Sequence, residues 1–252
     1  SKGSPILDLA PPREMSPSVQ RRLLDTLRAF NEALKRPRVD NSNLAARIAS
    51  YELAYRMQSS APEAVDLSRE TEATMNLYGL NDKRSEPFGR QCLLARRLVE
   101  RGVRYVQLFI PGQMWDHHTG LERKMRSSCA MTAKPIGGLL KDLKQRDMLK
   151  DTLVVWAGEF GRTPMAQGSG RDHHIKGFSI WMAGGGIKGG TSYGNTDELG
   201  YNAVENVVTV HDVHATMLRL LGIDHQQLTF PFQGRDFRLT DVAGNVIKPI
   251  LA

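Results

Sequence analysis

Cysteine is scarce in this chain, with only Cys92 and Cys129 in 252 residues. No disulfide framework and no thiolate zinc set can be built from them. They are far apart and flanked by apolar helical patterns, so both are read as small buried hydrophobes rather than as a disulfide or as ligands, and the redox compartment stays undecided. Long apolar runs are missing too. None approaches the ~20 residues of a membrane span, so no span is expected. The start, Ser1-Lys2-Gly3-Ser4-Pro5, lacks Met and lacks the charged-then-apolar pattern of a signal segment, so a processed, trimmed or partial product is expected. No helix-turn-helix, zinc-finger or RNA-binding signature is present, and no internal repeat or low-complexity tract. The glycine-rich run Gly184–Gly190 lacks the spacing of a phosphate-binding loop and is read as a tight chain reversal.

What is present is ordinary for a globular chain, at 40% hydrophobic and 24% charged residues. A net charge of +7 favours acidic partners: phosphate or sulfate esters, anionic polysaccharide or nucleic acid. The positive charge is spread along the chain rather than blocked. A generally basic surface is therefore the plain reading, with no specific nucleic-acid contact expected.

Helical periodicity is expected over Ser16–Leu34 (Val19, Leu23, Leu24, Leu27, Phe30, Leu34) and again over Asn43–Ser59. Tyr78-Gly79-Leu80-Asn81 reads as a turn. Residues 1–87 thus read as a helical arm without strands. From Phe88 the rhythm changes to a helix ended by Gly102, a strand at Tyr105–Ile110, a long helix over Leu121–Arg146, strands at Thr152–Ala157 and Phe178–Ala183, and a helix over His211–Leu221. Strands alternating with helices predict, for residues 88–252, an α/β domain with a mostly parallel sheet flanked by helices.

Six of the seven histidines fall into three clusters, each with an aspartate: Asp116-His117-His118, Asp172-His173-His174 and His211-Asp212-Val213-His214. Imidazole and carboxylate are the ligands that Zn²⁺, Mn²⁺ and Fe²⁺ accept. In a parallel sheet ligands gather beyond the carboxyl ends of the strands. Asp116, His118, Glu159, His173 and His174 would arrive there on independent loops. Asp116 and His118 are expected to share an ion; the alternative is a surface loop with exposed imidazoles. Glu159 is either a ligand, or an orienter of one, or a solvated turn residue paired with Arg162. Arg162 suits an anionic oxygen, because its planar fork matches phosphate and sulfate, or else pairs with Glu159 or Asp172. His117 is expected to face substrate. On the last cluster a capping Asp212 and a packed His214 are favoured over ligation.

The string Leu149-Lys150-Asp151-Thr152-Leu153-Val154-Val155-Trp156-Ala157-Gly158-Glu159-Phe160-Gly161-Arg162-Thr163-Pro164 resembles the signature of the domain-of-unknown-function 1501 family. Gly170–His174 followed by Trp181–Gly190 resembles its second signature, and Gly234–Asp241 its ending. Members are usually longer, so the chain is similar to their C-terminal portion. The family in turn resembles the alkaline phosphatase and sulfatase superfamily. That resemblance implies an alkaline-phosphatase-like sheet, one or two divalent ions (Zn, Mn or Fe), and a bacterial, exported parent of the twin-arginine kind, periplasmic in location. Within it Glu159 stands in the place of a ligand Asp, Phe160 in that of a ligand His, and His173 matches a later ligand His. His174 or Asp172 would replace the ligand lost at Phe160. The superfamily's nucleophile has no counterpart in these residues, and neither cysteine has the Cys-x-Pro-x-Arg context.

The leading expectation is a metal-dependent hydrolase of phosphate or sulfate esters, incomplete in this chain, acting on an anionic small molecule or polysaccharide ester. Asp116, His118, Glu159, His173 and His174 would serve the metal, and Arg162 and His117 the substrate. The main rival is a non-catalytic metal- or anion-binding module. The sequence leaves the oligomeric state open.

Overall fold

A computed structural model describes residues 12, 14–35, 42–110 and 112–252. The chain divides into two compact units, Ser1–Glu70 and Thr71–Ala252.

In the first unit α1 (Pro17–Lys35) packs against α2 (Ser42–Val65), and a short 3-10 turn follows at Leu67–Arg69. Polar side chains fix the pairing. Gln20 Nε2 donates to Gln58 Oε1 at 2.6 Å, and Arg21 reaches Glu52 at 3.0 Å while lying 5.0 Å from the Tyr55 ring centre. The expected apolar face of α1 divides in two: Leu24 is half-buried, whereas Val19, Leu23, Leu27 and Phe30 remain exposed.

The second unit is built around three helices, α3 (Glu72–Leu77), α4 (Glu86–Glu100) and α5 (Leu121–Gln145). Thr71 caps α3 through its hydroxyl. The α4–α5 contact buries Tyr78, Phe88, Cys92, Leu93 and Leu143. It also buries charge. Arg96 Nε lies 3.0 Å from Asp142 Oδ2, which accepts the Tyr78 hydroxyl at 2.9 Å, and Arg146 closes on the other oxygen of Asp142 at 2.8 Å. Burial beside that carboxylate pushes the Tyr78 hydroxyl far up. Both cysteines are free; Cys92 is buried, its thiol pushed up to about 12 by burial, whereas Cys129 is exposed, against expectation.

The β structure departs from the expected parallel sheet. The strands are β1 (Val154–Trp156), β2 (Gly161–Gln167), β3 (Gly170–His174), β4 (Trp181–Ala183), β5 (Asn195–Thr196), β6 (Ala203–Glu205), β7 (Thr229–Phe232) and β8 (Arg235–Arg238). They form four separate antiparallel pairs, β1 with β4, β2 with β3, β5 with β6 and β7 with β8. The alkaline-phosphatase-like sheet is therefore overturned. Its premise was the alternation of strands with helices, and no helix lies between the runs at 152–157 and 178–183. The chain instead makes the β2–β3 hairpin there and returns with Val154 opposite Ala183 and Trp156 opposite Trp181. Reversal without a crossover gives antiparallel pairing. The run Tyr105–Ile110 forms no strand and joins no ladder among the described residues.

The helix α6 (Val210–Leu220) is started by a reciprocal cap between Thr209 and Asp212. Gly184, Gly185 and Gly186 all have positive φ and reverse the chain after β4, with Gly185 N–H donating to the Leu149 carbonyl at 2.9 Å. Among the described residues no helix is long and apolar enough to cross a membrane.

Candidate metal centre

Asp116 and His118 lie in the loop before α5, and His173 lies on β3. Backbone contacts bring the two segments together. Arg171 N–H donates to the His117 carbonyl, Leu121 N–H to the Ser169 carbonyl, and Gly120 N–H to the Ser169 hydroxyl, each at 2.9 Å. The tip of the β2–β3 hairpin is thereby clasped to residues 117–121. The approach is so close that a Cβ at Gly170 would collide with the His117 carbonyl oxygen and the His118 carbonyl group.

Three ligand atoms then form a nearly equilateral triangle. Asp116 Oδ1 is 3.0 Å from His118 Nε2 and 3.1 Å from His173 Nε2, and the two imidazole nitrogens are 3.2 Å apart. Two ligands each about 2.1 Å from one ion stand about 3.0 Å apart at octahedral angles and about 3.4 Å apart at tetrahedral ones. The triangle thus matches one face of a coordination shell, with a donor set suited to Zn²⁺, Mn²⁺ or Fe²⁺. Side-chain exposures of 39% for His118 and 47% for His173 leave the group accessible from solvent. No other such group of three occurs among the described residues.

The charge state of the carboxylate is set locally. Arg162 Nη1 donates to Asp116 Oδ1. That bond outweighs the cost of desolvation and holds the Asp116 carboxyl below the usual carboxylate range. His118 is oriented from its far side, where Nδ1 meets Gln167 Oε1 at 2.5 Å. Phe160 packs its ring 4.4 Å from that of His173, and the Arg162 guanidinium sits 5.5 Å from the Phe160 ring centre.

The other expected site residues stand elsewhere. Glu159 is exposed and outside the triangle. His174 is buried on the opposite side of β3 from His173, as strand alternation requires, and its Nε2 donates to the Tyr201 carbonyl at 2.6 Å. It holds the β5–β6 region and is no part of the ligand set. His117 is buried, with Nε2 3.5 Å from the Ser128 hydroxyl. Burial depresses its pKa, and Lys124 and Arg162 push in the same direction. His214 donates from Nδ1 to the Val210 carbonyl at 2.8 Å, one turn back in its own helix. Sequence reasoning passed over Gln167 and Ser169, whose only signal was the short polar turn around Gly168, and met Gly170 only as the start of a family signature.

A family model described as "Protein of unknown function (DUF1501)" matches residues 1–251. No curated protein and no solved structure matches the chain.

Proposed function

The chain belongs to the DUF1501 family, and from that premise we propose that its Asp116–His118–His173 triangle holds a divalent metal in a hydrolase of phosphate or sulfate esters. The observation that carries the reading is the triangle itself, three ligand atoms 3.0 to 3.2 Å apart and open to solvent. Structural zinc sites close with four protein ligands, whereas catalytic ones present three and leave a position free. When bound, the ion would polarise an ester oxygen and lower the pKa of a hydroxyl or water.

The chain's own residues have separable tasks. Arg162 keeps Asp116 ionised, and the remaining N–H groups of its fork suit an anionic ester oxygen beside the metal. Phe160 backs the His173 ring and limits its rotation. Kinship with alkaline phosphatases and sulfatases belongs to the same proposal. It rests on the Asp151–Val155 run and on the ligand types, not on the sheet, which is of another kind. An exported parent acting on an anionic small molecule or polysaccharide ester would be in keeping with it. The rival, a metal- or anion-binding module without turnover, draws support from Phe160 occupying the space beside His173 and from Glu159 remaining outside the ligand set.

Elemental analysis of the purified chain and of an Asp116→Ala/His173→Ala variant tests the reading. About one equivalent of Zn, Mn or Fe per chain, absent from the variant, is expected. Hydrolysis of aryl phosphate or sulfate esters by the loaded chain alone would then establish the enzyme. Metal bound without hydrolysis would favour the binding module. A chain still empty after reconstitution overturns both metal readings.

A further inference from the structure

We propose that Gln167 is a positioning residue for the metal centre: by accepting the Nδ1–H of His118 it selects the tautomer whose Nε2 lone pair faces Asp116 and His173. The proposal rests on the metal reading above and adds to it a residue that acts only through His118.

A neutral imidazole carries one proton, and either nitrogen can hold it. At His118 the two nitrogens face unlike partners. Nε2 stands 3.0 Å from Asp116 Oδ1, and Nδ1 stands 2.5 Å from Gln167 Oε1. Both partners are acceptors, so they compete for the single proton. If Asp116 wins, Nε2–H points into the triangle, and the site loses a lone pair while part of its carboxylate is spent on a hydrogen bond. If Gln167 wins, Nε2 is free to act as a ligand. Ligating histidines are commonly held in this way by an acceptor on the second nitrogen.

The location of Gln167 is not accidental to the fold. It is the last residue of β2, paired with Gly170 across a turn whose Gly168 has positive φ. The next residue, Ser169, accepts from both Gly120 and Leu121. One clasp therefore fixes the backbone of His118 and the reach of Gln167 together. The proton on His118 is decided by the same hairpin that delivers His173.

Zinc titration and long-range proton–nitrogen NMR of the metal-free, neutral imidazole would test this on the wild-type chain, Gln167→Ala and Gln167→Glu. Wild-type His118 is expected to carry its proton on Nδ1. The Ala variant is expected to shift it toward Nε2 and to weaken zinc binding by about 10–100-fold, with the helical circular dichroism unchanged because Gln167 is exposed. The Glu variant, which can accept the same bond, should restore the tautomer and most of the affinity. An Ala variant that binds zinc as tightly as wild type overturns the proposal, whatever its tautomer. If the wild-type chain binds no zinc, the metal reading falls, and an unchanged tautomer in the Ala variant would remove the hold of Gln167 on His118 as well.

Discussion

A methyl group at position 170 is among the smallest changes that would reach the ligand triangle. Gly170 is buried, and the space for a Cβ is already filled by the carbonyls of His117 and His118. Backbone cannot rotate aside as a side chain can, so Gly170→Ala must draw the hairpin tip away from residues 117–121. The Ser169 bonds would lengthen, and His118 would part from His173. A loss of about 1–3 kcal/mol in folding stability is expected from such overpacking, together with a zinc affinity at least about tenfold weaker. Gly189→Ala, where no atom lies within 4 Å of the added carbon, should change neither. Chemical unfolding and zinc titration of both variants decide the matter; a Gly170→Ala chain with wild-type affinity would break the link between clasp and site. Asp116, His118 and His173 could be picked from the sequence because imidazole beside carboxylate is a rare pattern with a chemical meaning. Gln167 and Gly170 could not, since a glutamine and a glycine at a hairpin tip look alike whether or not a ligand lies opposite. Glu159 and His174 show the converse: the right residue type, turned elsewhere by the backbone.

Helices were the most legible elements because their apolar period of 3.6 is written locally. The expectations for α1 and α5 end within a residue or two of the observed Pro17–Lys35 and Leu121–Gln145. The α2 helix runs on to Val65, past Pro62, where the sequence suggested an earlier stop. The start of α6 joins local sequence to distant chain through one carboxylate. Asp212 accepts the Thr209 N–H at 2.8 Å and hydroxyl at 2.7 Å on one oxygen, and the Asn245 N–H at 2.7 Å on the other. Burial opposes its ionisation, but the bonds from Thr209 and Asn245 outweigh that cost and hold the carboxyl below its ordinary range. A depressed folded pKa means that the unfolded chain takes up the proton first. The stabilisation is therefore complete above the unfolded value of about 3.9 and is lost as pH falls through the folded one. Asp212→Asn replaces one acceptor by a donor facing a donor and should cost about 1–3 kcal/mol at neutral pH. Urea midpoints of wild type and variant should differ near neutrality and converge once the pH has fallen below the folded value. A gap that persists in acid would mean that the carboxylate charge is not what secures the helix start.

At the scale of the Thr71–Ala252 unit, the difficulty for the sequence was long-range pairing, which no local pattern encodes. The run Tyr105–Ile110 was read as a buried strand because it is apolar apart from Gln107. The structure gives it period-two burial instead: Val106, Leu108 and Ile110 are half-buried, while Tyr105 and Phe109 are 64% and 70% exposed. One covered face is strand-like; what is missing is a neighbour. Among the described residues no backbone hydrogen bond joins Arg104–Ile110, whereas β1 and β4 pair through three residues each. Amide exchange separates the two architectures. An amide without a partner opens at almost no free-energy cost, while one in a packed helix approaches the stability of the whole unit. Exchange followed by mass spectrometry should therefore show Arg104–Ile110 labelled at the earliest times, α4 and α5 protected longest, and β1 and β4 between them. Tyr105 and Phe109 could shield their own amides from solvent without bonding them, so Tyr105→Ser/Phe109→Ser should leave the fast exchange as it is. Protection of 104–110 comparable to that of α5 would require a strand lying against this run and would restore the sheet that four separate hairpin-like pairs now exclude.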